Sequence, residues 1–135
     1  MKPRQLKLFN LARAVAQTST HDKARIGAVI IVGKDIVSVG VNGNKSHPLQ
    51  KLYNKYRFDD DRARCLKHAE IDAIIKAKRD PLNDDGAAIY IYRELRTGVQ
   101  GMCRPCAGCM RALSDYNIKS IFFSTEHGFA HEEIK

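Results

Sequence analysis

The stretch IGAVIIVGKDIVSVGV, residues 26–41, consists of two short apolar runs on either side of Gly33-Lys34. IGAVIIV (26–32) and DIVSVGV (35–41) are rich in β-branched residues, which suit a pleated surface, and two turn residues between such runs read as a β-hairpin. Working outward, helical and strand-like segments alternate. Leu8, Leu11, Ala12, Val15 and Ala16 recur at helical spacing within residues 4–17. After the hairpin comes a polar, irregular stretch opened by Asn42-Gly43-Asn44 and containing Pro48. HAEIDAIIKAKR (68–79) reads as a helix that stops before Pro81. AAIYIY (87–92) reads as a strand, CAGCMRALSDY (106–116) as a helix and IKSIFFS (118–124) as a strand. The order αββαβαβ predicts an α/β fold in which strands joined through helices run parallel and helices cover the sheet. In such sheets, sites form at the carboxyl ends of strands, beside helix starts.

Composition bounds the function classes. The 135 residues fit a single domain, residues 1–135, with 44% apolar and 28% charged residues, as a globular chain requires. No apolar run approaches the roughly 20 residues a membrane span needs. The N-terminal segment is interrupted by Arg13 and reads as an amphipathic helix, not a signal peptide. The expected location is therefore the cytoplasm, where thiols stay reduced and clustered cysteines point to metal or catalysis instead of disulfides.

The formal charge of +8 favours an anionic partner. Between Lys45 and Lys67, seven cations stand against three aspartates, a net +4, with Tyr53, Tyr56 and Phe58 among them. That mixture suits a nucleotide or a single strand, since bases stack on aromatics while cations meet phosphates. It equally suits a solvated segment whose aromatics dock on the core.

Two helix starts carry the chemistry. In GMCRPCAGCMRAL (101–113), Pro105 marks the helix start and puts Cys106 and Cys109 in the opening turn as an i, i+3 pair. Their sulfurs can then chelate one ion, and the positive end of the helix dipole favours both thiolates. Cys103 lies before the proline, outside that row, and is expected to be a bystander. His68 supplies a third ligand: zinc takes imidazole and thiolate, and three protein ligands leave one position open for water. Glu70, beside it at the same helix start, can reach that position as a proton carrier. Each piece alone is weak. H-x-E occurs by chance, and Cys65 and Cys103 offer an alternative in which four cysteines form a purely structural zinc site. The conjunction of H-x-E opening one helix and P-C-x-x-C opening the next is what points to catalysis.

H-x-E followed by P-C-x-x-C is the pattern of the zinc nucleobase deaminases. The sequence resembles the cytidine and deoxycytidylate deaminase superfamily from about Arg25 to Thr125. RIGAVIIV resembles the family's first strand. GVNGNKSHP and HAEIDAI are similar to segments of the deoxycytidylate (dCMP) branch. The resemblance implies a three-layer α-β-α fold, with His68, Cys106 and Cys109 as zinc ligands and Glu70 as proton shuttle. It implies hydrolytic deamination at C4 of cytosine, giving uracil and ammonia. It also implies substrate contacts: Asn42 to sugar or base and the Ala69 backbone to the base edge. Apart from the resemblance, a monophosphate needs only one or two cations, and Arg25 or Lys45 is a candidate for that contact. Val41 and Asp72 depart from the family pattern, which carries an aromatic and an asparagine there. The short tail after residue 124 implies a mixed sheet of about four strands, the usual fifth absent or reduced. Such compactness resembles phage-encoded or minimal deaminases. An open sheet edge is normally paired or covered, which favours a homo-oligomer.

The leading substrate is a pyrimidine nucleotide such as dCMP. The alternative is a polynucleotide deaminase acting on cytosine or adenine in single-stranded DNA or RNA, which the charge and the aromatic cluster favour. A third reading is an inert, zinc-stabilised nucleic-acid-binding module, against which the retention of Glu70 argues.

Overall fold

In the computed structural model, which describes residues 1–21, 23–43, 47–56, 67–77 and 87–134, the chain starts with helix α1 (Pro3–Ala16). Proline at the first helical position suits a helix start, because its missing N–H would lack a partner there anyway. Strands β1 (Ala24–Val32) and β2 (Asp35–Val41) then form the expected hairpin. Val32 pairs with Asp35, so the loop has two residues, and Gly33 takes a φ of +60° that side chains resist. Helix α2 (Pro48–Tyr53) and a single 3-10 turn (Asn54–Tyr56) lie within the stretch read as irregular. Next come α3 (Ala69–Lys76), β3 (Ala87–Leu95), the two-residue β4 (Gln100–Gly101), α4 (Ala107–Asp115), β5 (Ile118–Thr125) and β6 (Gly128–Glu133).

The sheet runs β2-β1-β3-β5-β6, with β4 paired to β3. β3 and β5 are parallel, and the other pairs are antiparallel. It is a mixed sheet, as expected, but it has six strands instead of about four. The fifth strand thought absent is β6, joined to β5 by the two-residue turn Glu126-His127. Its sequence, GFAHEE, has little apolar content because an edge strand needs cover on one face only. Phe129 stacks on Phe9 of α1 at 4.0 Å, and His131 on Phe122 at 4.2 Å. The strand left to a partner subunit in the sequence reading is thus supplied within the chain.

Helices cover both faces, giving three layers. Leu8, Phe9, Ala12 and Ala16 of α1 pack on Val29, Ile31, Tyr90 and Tyr92. On the other face, Ile71 and Ile74 of α3 and Leu113 of α4 pack on Ile30, Ile89, Ile91 and Ile121. Fully burying each such side chain stabilises the fold by about 1.5–3 kcal/mol. No helix among the described residues is long and apolar enough to cross a membrane.

Candidate metal and catalytic site

His68 is the N-cap residue of α3 and Cys106 that of α4, both with extended backbone, and neither side chain caps its own helix. The two helices start in one crevice, at the carboxyl end of β3. Cys109, one turn into α4, is fully buried. His68 Nδ1 lies 3.2 Å from Cys109 Sγ and 3.8 Å from Cys106 Sγ, and all three donor atoms fall within 4.8 Å of one another. Zinc bonds of about 2.3 Å to sulfur and 2.0 Å to nitrogen at tetrahedral angles put donor atoms roughly 3.5–3.8 Å apart. The trio fits such an ion. The hydrogen bond with Cys109 pulls the Cys106 thiol down to about 4, with His68 assisting and burial opposing. The same bond, together with burial, pushes Cys109 up, so the pair holds one proton that a zinc ion would displace.

Cys103 stands apart. Its thiol donates to the Ile91 carbonyl at 3.3 Å and lies 3.2 Å from Ser124 Oγ, and burial pushes it up to about 12. Among the described residues it belongs to no metal-ligating cluster. Cys65 lies outside the described residues.

Glu70, in the first turn of α3, is 6% exposed, and burial raises its carboxyl above the ordinary range against the pull of His68. It lines a cavity of about 340 Å³ together with His68, Cys103 and Cys106. That volume matches a small-molecule site. Among the described residues Lys23, Lys67, Arg93 and Arg104 also line it, against Glu70 as the one carboxylate, and these walls favour an anionic ligand.

The residues expected to contact substrate fare differently. Asn42 lines the cavity, but most of its amide is committed: Oδ1 accepts from Ser19 Oγ (2.6 Å) and Ile26 N (2.9 Å), and Nδ2 donates to Ala24 O (3.0 Å). Among the described residues one amide hydrogen has no partner. Ala69 is fully buried under β2 and is not part of the cavity wall; a Cβ built on Gly40 would lie 2.5 Å from its carbonyl oxygen. Arg25 faces the other side of the sheet, where it donates to Gln17 Oε1 at 2.8 Å and lies 3.8 Å from Glu94. Lys45 and Phe58 lie outside the described residues. Tyr53 docks on the core, its hydroxyl donating to Asp115 Oδ2 at 2.8 Å, and Tyr56 packs beside it under Arg111.

Three supports went unread in the sequence. Gln50, fully buried in α2, accepts from the His68 backbone N–H at 2.9 Å. Asp72 accepts from Val41 N at 2.9 Å and from Lys67 and Lys76 at 2.8 Å each, tying the end of β2 to the start of α3. Burial works against its charge, but the two lysines and the Val41 N–H outweigh it and hold the carboxyl below its ordinary value. Ser124 Oγ accepts from Arg93 N at 3.0 Å and donates to Gly101 O at 2.8 Å, fixing the loop before Cys106. Lone polar residues on short segments carry no periodic signal that would mark them as supports. The Asp72 departure from the family pattern was the one cue available.

Residues 2–125 match the family model described as the cytidine and deoxycytidylate deaminase zinc-binding region. ComE operon protein 2 of Bacillus subtilis (strain 168) is 25% identical over 121 residues, which are 87% of this chain and 59% of that protein. The chain thus spans less than two thirds of the length of that relative. Among solved structures, the dCMP deaminase of cyanophage S-TIM5 in complex with dCMP and dUMP superposes with a TM-score of 0.59 at 20% identity, covering 93% of this chain and 84% of that one. Cytidine deaminase from Burkholderia pseudomallei gives 0.66 at 15% identity, covering 99% and 94%. At these identities the likeness is one of fold.

Proposed function

This chain belongs to the cytidine and deoxycytidylate deaminase zinc-binding family, and on that premise we propose that it hydrolyses the exocyclic amine of a cytosine mononucleotide, dCMP or a close relative. One observation carries the reading. A buried carboxyl, Glu70, stands beside a His/Cys/Cys cluster in a cavity of nucleotide size whose other charged walls, among the described residues, are cationic.

His68, Cys106 and Cys109 are the residues that would hold zinc. A zinc ion in that donor set brings the pKa of a water at its open position toward neutrality and so supplies a nucleophile for C4. Glu70 moves the protons. Its carboxylate takes one proton from the attacking water and gives it to the ring nitrogen N3, then takes the second from the oxygen now bonded to C4 and gives it to the departing amine. The C4–O bond forms, the C4–N bond breaks, and cytosine plus water becomes uracil plus ammonia. Raising the Glu70 pKa toward the working pH suits this exchange in both directions. Asn42 presents the amide hydrogen that has no partner among the described residues to the sugar or base.

The test is a substrate panel. The zinc-loaded chain is incubated with dCMP, deoxycytidine and a cytosine-containing single strand, and uracil products are measured. The expected result is turnover of dCMP. Turnover of the strand with dCMP untouched would move the protein to the polynucleotide reading. Glu70→Gln is expected to keep one zinc per chain and lower kcat by about 10²–10⁴.

A further inference from the structure

The cations around the cavity are not equivalent. Lys67 is held by Asp72 at 2.8 Å, and Arg104 by Glu132 at 2.8 Å. Lys23 is exposed. Arg93 is partly buried and, among the described residues, has no carboxylate partner. Its Nη1 donates to the Met102 carbonyl at 3.2 Å, and its Nε is buried with no hydrogen-bond partner among the described residues. A guanidinium brings five donors, and with Nε enclosed by the protein it is the terminal nitrogens that a ligand in the cavity can match with acceptors. A phosphate does so, because its oxygens meet the planar fork two at a time.

The placement is built into the sheet. Arg93 continues the row Ile89, Ile91 along β3, so it points to the face that carries His68 and Cys106. It pairs across the strands with Ile26, itself in the cavity wall. Its methylenes lie against β4: a Cβ built on Gly101 would be 3.5 Å from Arg93 Cδ. Ile91 marks the level of Cys103, and two residues along a strand advance about 6.6 Å. Arg93 therefore stands one pleat beyond the level of Cys103 in the wall of the same cavity, and a nucleotide whose base rests over Glu70 has its sugar and phosphate to direct there.

We propose that Arg93 reads the phosphate of the substrate and sets the preference for a nucleotide over the bare nucleoside. The proposal rests on the deaminase reading above, and its test separates the two. Binding of dUMP and of deoxyuridine to the zinc-loaded full chain is measured by calorimetry, alongside KM and kcat for dCMP and deoxycytidine. Arg93→Gln is expected to weaken dUMP binding and raise KM for dCMP by about 10–100-fold, the range for hydrogen bonds to a charged group. The change for deoxyuridine and deoxycytidine should be at least tenfold smaller. Arg93→Lys keeps the charge without the fork and should recover part of the loss, which guards against a variant that simply misfolds. Equal losses for phosphorylated and unphosphorylated ligands would overturn the proposal, as would a wild-type chain that does not bind dUMP. A wild type that binds dUMP through Arg93 yet never deaminates dCMP would sink the deaminase reading and leave Arg93 as an anion anchor. Turnover of dCMP with KM untouched in Arg93→Gln would do the reverse.

Discussion

The two faces of the sheet are built alike and used differently. Each is covered by a helix seated on a glycine. A Cβ on Gly27 would meet Ala12 O of α1 at 2.1 Å, and one on Gly40 would meet Ala73 N of α3 at 2.3 Å. Each also holds an arginine whose buried Nε has no partner among the described residues: Arg25 on the α1 side and Arg93 on the side of α3 and α4. Beyond that the likeness ends. Arg25 leans on Gln17 and Glu94, among Arg13 and Arg96, in a cleft bounded by α1. Arg93 opens on the cavity with the His/Cys/Cys cluster. The α1 face anchors, through the edge-on and stacked contacts of Phe9, Tyr90, Phe122 and His131. The opposite face gathers the candidate metal ligands and Glu70, because there two helices begin beside the strand ends and turn their N-termini inward.

The largest expected effect tests whether the chemistry belongs to one face and to named atoms on it. Cys109→Ser should reduce zinc from about one per chain to near zero, measured by atomic emission, and abolish deamination. Cys103→Ser, three residues before the first ligand, should keep its zinc, because its thiol serves Ile91 and Ser124. Zinc lost from both variants would mean that the loop and the helix start act as one cluster.

The paired glycines come next. Gly27→Ala and Gly40→Ala each force backbone to move, and each should lower unfolding free energy by at least about 1–3 kcal/mol. Their kinetic signatures should separate. Displacing α3 moves His68 and Glu70, and misplacement by about 1 Å can cost on the order of 10²-fold. Gly40→Ala should therefore lose kcat tenfold or more at a temperature where it stays folded. Gly27→Ala should stay within about twofold of wild type under the same conditions. Equal kinetic losses would show that the two layers are coupled and that the comparison of faces fails.

How legible this was depends on how local each feature is. The hairpin, the start of α3 at His68 and the start of α4 at Cys106 were readable because turn residues, Pro105 and short-range spacing fix them. The grouping of His68 with Cys106 and Cys109 followed from topology: β3 and β5 flank the helix that carries the thiols. β6 was missed because its contacts, Phe129 on Phe9 and His131 on Phe122, are tertiary and its composition is polar. Arg93 was missed for another reason. In AAIYIYREL both faces of the strand are apolar, so no alternation in the sequence shows which residues look toward the cavity. Only the register with β1, Arg25 opposite Glu94 and Ile26 opposite Arg93, settles it.

The smallest expected effect is the one that can invert the comparison. The sequence reading offered Arg25 or Lys45 for the phosphate; Arg25 stands one residue before Ile26, and one residue along a strand moves a side chain to the opposite face of the sheet. If the face decides, Arg25→Gln should change KM for dCMP by less than about twofold. Its structural cost should also be small. The Arg25–Glu94 contact is 3.8 Å long with the guanidinium about a quarter exposed, so it is worth roughly 0–1 kcal/mol, and Glu94 keeps its bonds from Gln17 and Tyr92. A tenfold rise in KM for Arg25→Gln, with Arg93→Gln silent, would place anion recognition on the α1 side and empty the cationic cavity of its assigned role. Because the two arginines share a side chain, a charge and a neighbouring rung of the same ladder, a difference between their variants can come only from the face each one occupies.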